Sequence, residues 1–430
     1  MATASDSHSP LRVCVDARLV SGERGGVEQV IIGLASAFSR LADGDERYLF
    51  LVDPGHSAWL EPFVFGPSSL LMSGALSGPE TARRSLRGTV RGVVKAALPG
   101  PIRAAIRDRL THSPTVPESD GSIERAGVDV MHFPMQVGFR TAIPTIFQPH
   151  DLQHLHLPEF FSPAEIANRE ARYRALCDQA SIVTLMSAWG RDDIVARYGL
   201  PPEKVRVVPG AAAIEAYEPP TDGDLAAARD RLRLPDRFAL YPAKAWPHKN
   251  HLRLVSALKI LRDRGVEVPV VLTGAQGGRE IPVLAEADAL GVSDLVHFVG
   301  FVTTDELSAL YRMARMMVFP SLFEGWGLPV LEAMAANLAL ACSTVTCLPA
   351  ITCGAAELFD PTDPDAIAGA VARVWQDDGL RKRLIADGRA RAACFSWDRS
   401  ARIFRACYRE LSGRPLSAED RALLDAPTLV

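Results

Sequence analysis

Two glutamates stand eight positions apart around a turn of glycine and proline, in the stretch FPSLFEGWGLPVLEAMAA (319–336). When ionised, Glu324 and Glu332 accept hydrogen bonds but cannot donate them. Gly325 and Gly327, which lie between them, leave main-chain amides unobstructed. Carboxylates beside exposed N–H donors can bind a ligand that has several hydroxyls and an anionic part, as a nucleotide sugar has. An ordinary helix start with a favourable acid would show the same pattern, so the pair alone does not decide.

The turn is expected to join a strand to a helix. The apolar run ARMMVFPS (314–321) predicts a strand, and Pro329 suits the first turn of a helix, where its missing N–H is not needed. In open parallel sheets, ligands bind beyond the carboxyl ends of the strands, and Glu324 comes just after such an end. The helix start adds partial positive charge. We expect Glu332 to fall in the first helical turn and to reach the same pocket.

The rest of the chain alternates in the same way. LRVCVDARLV predicts a strand, a glycine-rich loop follows, and VIIGLASAFSRL then has helical spacing. Strands that alternate with helices predict an α/β fold with parallel sheets covered on both faces, here two Rossmann-like doubly wound domains in tandem. The other predicted strands lie at 48–52, 129–134, 144–151, 181–187 and 205–210, and, after a polar linker at 215–235, at 238–243, 268–274 and 295–300.

Size and composition agree with that organisation. A chain of 430 residues exceeds what one hydrophobic core supports, which predicts two domains. The hydrophobic fraction of 48% and the formal charge of −4 are ordinary for a globular protein and do not indicate a nucleic-acid partner. The N-terminus MATASDSHSP lacks a secretory pattern, and no run of apolar residues is long enough to span a membrane. Seven scattered cysteines predict reduced thiols in the cytoplasm, and their spacing does not suit structural zinc.

The stretch 83–109 is strongly basic. It carries eight lysines and arginines against one acid, and its apolar residues recur at helical spacing. A basic amphipathic helix can contact an anionic membrane surface, here the inner face of the cytoplasmic membrane. A solvated helix packed on the N-terminal domain explains the pattern equally well and is favoured, because Gly88, Gly92 and the break at Pro99 weaken a long interfacial helix.

Several motifs resemble one known family. EGWGLPVLE (324–332) resembles the E-x7-E motif of the family 4 retaining glycosyltransferases, which have the GT-B architecture of two Rossmann-like domains facing a central cleft. The resemblance covers nearly the whole chain except for roughly residues 55–125. Its other motifs are YPAKAWPHKNHLRLVSAL (241–258), the whole stretch 297–335, the glycine loop DARLVSGERGGVEQ (16–29) and the His-Asp strand end IFQPHDLQHLHLPEFFS (146–162).

The resemblance implies domain limits and donor contacts. It implies an N-terminal acceptor-side domain at 10–214, a nucleotide-sugar-binding domain at 236–394 and a helix at 395–413 that crosses back to the N-terminal domain, with a loose tail expected after Gly413. Lys249 and Lys244 would hold the donor diphosphate, whose negative charge grows as it departs. Lys244 is a point charge where many relatives have the arginine fork. We expect Asn250 to cap the following helix.

The remaining roles are implied in the same way. Glu324 would receive hydroxyls of the transferred sugar, and Glu332 would accept hydrogen bonds from the ribose. His150 would contact the sugar near its reacting carbon. The base would lie near Phe298–Phe301. Main-chain contacts to sugar and phosphate are expected from Gly325, Trp326, Gly327 and Leu328, and from Gly25 and Gly26 of the N-terminal domain.

The implied reaction moves a hexose-type sugar from a nucleoside diphosphate to an acceptor hydroxyl with retention at the anomeric carbon, as in polysaccharide or glycosylated metabolite biosynthesis. The acceptor can be a sugar, a lipid-linked compound or a small molecule. No metal or other cofactor is expected, although Asp151, His154 and His156 lie close to His150 in the sequence. One departure is Ala350, where relatives usually have glutamate. It motivates the alternative of a sugar-nucleotide-binding subunit with decayed catalysis; a GT-B nucleotide-sugar epimerase is the other alternative.

Overall fold

The structure, a computed structural model, describes residues 9–19, 25–74, 116–213, 219–274, 278 and 280–426. The chain forms two compact units. The N-terminal unit contains the chain up to Leu185, Asp193–Val208 and the segment that begins at Trp397. The C-terminal unit contains Met186–Asp192 and Pro209–Ser396. The basic stretch 83–109 lies outside the described residues.

Among the described residues of the N-terminal unit, seven parallel strands form one sheet in the order β3-β2-β1-β4-β5-β6-β7. Nearly every residue of β1, β2 and β4 is buried, as expected for a parallel sheet that is covered on both faces. The chain reverses its direction of winding between β1 and β4. The strands are β1 (Arg12–Asp16), β2 (Arg47–Val52), β3 (Ser68–Met72), β4 (Val130–Phe133), β5 (Thr145–Phe147), β6 (Ile182–Leu185) and β7 (Val205–Val207).

Among the described residues of the C-terminal unit, six parallel strands form a second sheet in the order β10-β9-β8-β11-β12-β13. The winding reverses between the neighbouring strands β8 and β11, which makes their carboxyl ends the switch point where ligands bind in such folds. The strands are β8 (Ala239–Pro242), β9 (Val270–Thr273), β10 (Val296–Gly300), β11 (Met316–Phe319), β12 (Leu340–Ser343) and β13 (Glu357–Phe359).

Helices follow most of the strands, and their starts obey simple capping rules. Reciprocal capping boxes, in which a hydroxyl and an acid three residues later satisfy each other's amides, begin α4, α6, α9 and α15. The helices are α1 (Gly26–Arg40), α2 (Ser122–Arg125), α3 (Gln153–His156), α4 (Pro163–Gln179), α5 (Ala188–Tyr198), α6 (Asp222–Leu232), α7 (His251–Asp263), α8 (Ile281–Ala289), α9 (Thr304–Met313), α10 (Leu328–Ala335), α11 (Leu348–Thr352), α12 (Pro364–Gln376), α13 (Asp378–Ala392), α14 (Trp397–Leu411) and α15 (Ala418–Asp425).

The predicted α/β class with two Rossmann-like sheets is confirmed. Each strand predicted from an apolar run is present within the predicted stretch, except that β2 begins one residue earlier, at Arg47; β3, β12 and β13 were not predicted. Two of these, β3 and β13, are only partly buried, so their apolar pattern is weak. The stretch 215–235, predicted to be a polar, helix-prone linker and entry to the second domain, contains α6.

Helix α14 belongs to the N-terminal unit although it lies near the end of the chain. It packs on α1, and the hydroxyl of Tyr408 lies 2.8 Å from Nδ1 of the buried His132 on β4. The loose tail predicted after Gly413 was wrong, because α15 follows and packs on α14. Its buried Asp420 accepts a hydrogen bond of 2.8 Å from Arg409. Among the described residues, every helix falls short of the length or the apolarity that a membrane crossing needs.

Two helical glycines give a matched test of this packing. A methyl group at Gly33 on α1 would overlap the indole of Trp397, whereas one at Gly369 on α12 would make ordinary contact with Arg373. Gly33→Ala should therefore lower the free energy of unfolding of the N-terminal unit by about 1–3 kcal/mol through overpacking. Gly369→Ala should stabilise the C-terminal unit by about 0.5–1 kcal/mol, because alanine loses less chain entropy in a helix.

Denaturant unfolding of both variants beside the unmodified protein measures these effects. A Gly33→Ala protein as stable as the original would show that α1 and Trp397 are not packed as described.

Candidate functional site

The candidate site is built from two loops that leave adjacent strands at the switch point of the C-terminal sheet. Strands β8 and β11 pair in parallel, so their carboxyl ends meet at one edge. The first loop runs from Ala243 to Asn250 and includes the short 3-10 helix Pro247–Lys249; the second runs from Pro320 to Gly327. The sequence predicted donor-binding residues on both loops.

An ion pair joins the two loops. The Nζ atom of Lys249 lies 2.6 Å from Oε1 of Glu324. Only 18% of the lysine side chain and 11% of the glutamate side chain are exposed, so water screens the pair weakly. The Lys249 ammonium also lies 5.5 Å from the centre of the Phe319 ring. A cation and a carboxylate, the two groups predicted to grip phosphate and sugar, are thus in direct contact.

Main-chain hydrogen bonds hold the loops in register. The N–H of Leu322 donates to the carbonyl of His248 at 2.7 Å. The hydroxyl of Tyr241, at the centre of β8, donates to the carbonyl of Lys249 at 2.6 Å. Burial raises the pKa of Tyr241 well above its usual value, so the hydroxyl keeps its proton. These main-chain hydrogen bonds therefore fix the position of Lys249 in addition to its ion pair with Glu324.

Asn250 has a different role from the one predicted. It occupies the N-cap position of α7 with a left-handed φ of 62°, but its side chain does not cap the helix. Instead, Nδ2 donates to the carbonyls of Pro320 at 2.9 Å and Pro361 at 2.7 Å. Oδ1 accepts from Arg253 at 3.0 Å. The amide group links the loop after β8 to the loop after β11.

The glycine turn leads directly into α10. Gly327 has a φ of 93°, and a Cβ there would lie 2.8 Å from Cδ2 of Leu348, so both the backbone and the packing require glycine. Pro329 lies in the first turn, as predicted. Trp326 is buried and meets the Phe395 ring edge-on, with centroids 5.7 Å apart. Gly325 and the buried Leu328 complete the predicted main-chain set.

Glu332 does not lie in the first turn of α10, contrary to the prediction, because the helix begins four residues earlier at Leu328. Its residue is 6% exposed, and Oε2 accepts a hydrogen bond of 2.7 Å from the hydroxyl of Tyr311 on α9. Burial and the charge of Glu332 raise the pKa of Tyr311 well above its usual value, so the tyrosine remains a donor. Tyr311 thus orients the second glutamate of the motif.

Lys244 follows β8 where the chain passes very close to the end of β9. Gly274 has a φ of 134°, and a Cβ at that position would lie 2.9 Å from the Cα of Lys244. The N–H of Trp246 donates to the Lys244 carbonyl at 2.7 Å, which forms a tight turn ahead of Lys249. Both predicted lysines therefore stand on the same short loop.

The other predicted residues belong to the N-terminal unit. Gly25, with a φ of 48°, is the N-cap of α1, and Gly26 is its first residue. His150 follows β5 and also has a left-handed backbone, with a φ of 70°. Its Nε2 lies 2.8 Å from the carbonyl of Pro134, which can only accept, so Nε2 carries the proton. Burial lowers the pKa of His150, which favours the neutral ring.

The histidines near His150 form separate pairs. Nε2 of His154 lies 2.8 Å from Glu170, and Nε2 of His156 lies 2.9 Å from both carboxylate oxygens of Asp193. In the described part of the chain, histidine, cysteine, aspartate and glutamate form no group of three or more that could hold a metal ion.

Ala350, the departure from the family pattern, is exposed on the short helix α11. The guanidinium of Arg391 donates to the carbonyls of Ala350 at 2.8 Å and of Ile351 at 2.9 Å. The contact between Lys249 and Glu324 is present with alanine at this position.

Sequence reasoning missed three residues that hold the site. Tyr241 lies in β8 and Tyr311 in α9. An aromatic residue within a strand or a helix is expected to be part of the hydrophobic core, so neither was predicted to have a role at the site. Thr346 lies in the loop after β12, and its hydroxyl donates to the carbonyl of Glu324 at 2.8 Å. Because β12 itself was not predicted, no strand end drew attention to Thr346.

His251, the residue after Asn250, gives a test of the charge at Lys249. It is buried against Tyr241, with ring centroids 4.8 Å apart. Burial, and then the nearby Lys249 ammonium, lower its pKa to about 4. Its pKa in the unfolded chain is near 6.5. Between about pH 4 and 6.5, therefore, the ring is protonated in the unfolded chain but stays neutral in the folded protein. The neutral ring thus stabilises the fold above about pH 6.5, and this contribution is lost as the pH falls toward 4.

Removing the lysine charge should raise the pKa of His251. We expect Lys249→Met to raise it while leaving it below 6.5, because burial is the larger cause. Lys259 lies on α7, as His251 does, but pairs with Asp263 at the surface. Lys259→Met should therefore leave the pKa of His251 unchanged. NMR titration of the imidazole, assigned with His251→Gln, measures both. An equal pKa in the Lys249→Met and original proteins would mean that the ammonium is not beside the ring.

Comparison with known proteins agrees with this geometry. Residues 24–215 match the model described as Glycosyltransferase Family 4, and residues 226–391 match the one described as Glycosyl transferases group 1. O-antigen chain mannosyltransferase B of Escherichia coli is 30% identical over 58% of this chain and 66% of its own length. D-inositol 3-phosphate glycosyltransferase of Salinispora arenicola is 34% identical over 48% of this chain and 50% of its own. The chain thus matches less than two thirds of the length of each of these relatives.

Solved structures show the same fold. HepE of Anabaena, determined with UDP and glucose, superposes with a TM-score of 0.66 over 93% of this chain and all of its own, at 16% identity. Sucrose-phosphate synthase of Thermosynechococcus elongatus superposes with a TM-score of 0.65 over 94% of this chain and 99% of its own, at 20% identity. The predicted GT-B fold class is confirmed. Since the two family models together match most of the chain and the motif residues meet at one switch point, the chain belongs to the family 4 glycosyltransferases.

Proposed function

We propose that the chain transfers a hexose from a nucleoside diphosphate sugar to an acceptor hydroxyl, with retention at the anomeric carbon and without a metal ion. The observation that carries the proposal is the contact between Lys249 and Glu324 at the switch point of the C-terminal sheet. It sets one cation and one acceptor side by side, in a position to bind the phosphate and the sugar of a single ligand.

Lys249 supplies charge for the departing group. Cleavage of the bond from the sugar to the phosphate builds negative charge on the phosphate oxygens. A fixed ammonium nearby stabilises that charge more in the transition state than in the ground state. Lys244, on the same loop, is the second cation in this proposal. The N-terminal end of α10 adds partial positive charge.

Glu324 and Glu332 recognise hydroxyls. The Glu324 carboxylate accepts from the hydroxyls of the transferred sugar, and the amides from Gly325 to Leu328 donate to sugar and phosphate. Glu332, oriented by Tyr311, accepts from the ribose. His150, neutral and protonated on Nε2, presents Nδ1 as an acceptor for a sugar hydroxyl. Gly25 and Gly26 are proposed to contact the diphosphate through their main-chain amides.

Retention requires a specific course for the reaction. Glu324, the acid of the motif, is engaged by Lys249 and is assigned here to sugar hydroxyls, so we propose a front-face displacement. The bond from the anomeric carbon to the phosphate oxygen breaks, and the acceptor oxygen bonds to the same face of that carbon. The acceptor proton passes to the departing phosphate. The products are a glycoside and a nucleoside diphosphate.

The proposal extends to the sugar and the compartment. Mannose is the first sugar to test, because curated relatives of this chain include the O-antigen chain and the serotype-specific mannosyltransferases of Escherichia coli. The acceptor is a sugar, a lipid-linked compound or a small molecule that bears a hydroxyl. We place the protein in the cytoplasm, since all seven of its cysteines are free thiols.

A donor screen tests the reaction. The protein is incubated with UDP, GDP, ADP and dTDP hexoses and with soluble or lipid-linked acceptors, in parallel reactions that contain EDTA or a divalent ion. We expect one base and sugar to raise the melting temperature through binding to the folded state and to give an acceptor-dependent nucleoside diphosphate. NMR of the product should show the anomeric configuration of the donor. A product with inverted configuration would refute retention. Activity that needs a divalent ion would refute the proposed independence of metal. Binding without turnover would indicate a decayed subunit, and an epimerised sugar an epimerase.

Separate substitutions should divide binding from transfer. We expect Lys249→Met to weaken binding of the free nucleoside diphosphate by about 10-fold to 100-fold, since it removes a charge-assisted contact. Glu324→Gln should bind the diphosphate at least as well as the original protein, because a carboxylate beside Lys249 is gone. Its transfer rate should nevertheless fall by about 100-fold or more.

Calorimetric titration and initial rates measure the two effects, with Lys259→Met as the matched surface control. Full transfer activity in Glu324→Gln would contradict the assigned pocket.

A further inference from the structure

Thr346 has a backbone conformation that its side chain disfavours. Its φ is 51°, in the left-handed region, where a β-branched residue is a genuine outlier. It stands in the loop between β12 and α11. Such strain persists only where the surrounding structure fixes it, and it tends to occur at functional sites. The contacts of Thr346 indicate what the strain provides.

A single hydroxyl holds both main-chain polar groups of Glu324. Oγ1 of Thr346 donates to the Glu324 carbonyl at 2.8 Å, and it accepts from the Glu324 N–H at 3.4 Å. The next residue supports the same turn, because Sγ of Cys347 lies 3.4 Å from the Glu324 carbonyl and 3.3 Å from that of Trp326. Thr346 and Cys347, in the loop after β12, therefore hold the turn that carries the motif. We call these two residues the clamp.

The clamp is not needed to keep the two loops together. Strands β11 and β12 pair directly, and the hydroxyl of Ser343 donates to the carbonyl of Ser321 at 2.8 Å. Leu348 also lies close to the turn, since a Cβ at Gly327 would lie 2.8 Å from its Cδ2. Glycine at position 346 would relieve the left-handed strain at once. What glycine would lose is the hydroxyl that fixes Glu324.

We propose that Thr346 is a positioning residue that fixes the backbone of Glu324 and so aims its carboxylate at Lys249 and at the donor sugar. The proposal rests on the function proposed above for Glu324. Thr346 is not proposed to contact the phosphate or the sugar. It acts only through Glu324, so its loss should affect sugar recognition and transfer but not the binding of the diphosphate alone.

Three substitutions at one position test the inference in the full chain. Thr346→Ser keeps the hydroxyl, Thr346→Ala removes it with the least further change, and Thr346→Gly removes it while also relieving the backbone. Amide hydrogen exchange at Glu324 in the ligand-free protein reports the clamp directly. We expect exchange about 10-fold faster in the alanine and glycine variants than in the serine variant and the original protein.

Catalysis and binding provide the second measurement. With the donor found in the screen, the alanine and glycine variants should lose about 10-fold or more in kcat, while serine should stay within about threefold of the original. None of these variants should bind the free nucleoside diphosphate more weakly than the original protein. A residue that only stabilised the fold would instead show losses that follow the melting temperature, and the strain-relieved glycine variant would then be active.

The outcomes separate this inference from the proposed function. Equal exchange at Glu324 in the serine and alanine variants would overturn the inference whatever the reaction is, as would original activity in Thr346→Gly. If the original protein binds no nucleotide sugar, the proposed function and the catalytic part of the inference both fall. In that case the exchange comparison still decides whether Thr346 fixes Glu324.

Discussion

The contact between Lys249 and Glu324 is the interaction on which the site depends. A largely buried ion pair stabilises a protein only if its surroundings fix the geometry and satisfy the remaining polar groups, because both charges lose hydration. Here the surroundings do so through Tyr241, the Asn250 amide and Thr346, which hold the main chain on either side of the pair. The pair can exist because β8 and β11, distant in sequence, are neighbours in the sheet.

A shared backbone feature marks the strand ends that carry predicted or proposed site residues. His150, Asn250 and Thr346 follow β5, β8 and β12, and all have left-handed backbones although none is glycine. Each uses its side chain to contact main-chain carbonyls, of Pro134, of Pro320 and Pro361, and of Glu324. His150 and Thr346 come shortly after their strands, whereas Asn250 follows the 3-10 helix Pro247–Lys249 and is the N-cap of α7. Strain at such positions is tolerated where neighbouring contacts over-determine the conformation.

The sequence was sufficient for the features that depend on local pattern. Apolar runs located most strands, and the contiguous stretch from Glu324 to Glu332 identified the turn and its proline. It was insufficient where residues distant in sequence determine the burial or the contacts of a side chain. The burial of Glu332 depends on Tyr311 of another helix, and the side chain of Asn250 is drawn from its capping role by carbonyls some 70 and 111 residues away. β12 was missed although its four residues are buried, since the short run LACS has only one large apolar side chain.

Helix α14 makes the N-terminal unit discontinuous along the chain. Its Trp397 fills the space above Gly33, and its Tyr408 meets the buried His132. During synthesis, the strands of the N-terminal sheet therefore leave the ribosome well before α14, the helix that packs on this unit. The C-terminal unit, whose strands are consecutive, can close on its own during synthesis, so the half of the protein that is made first becomes complete last.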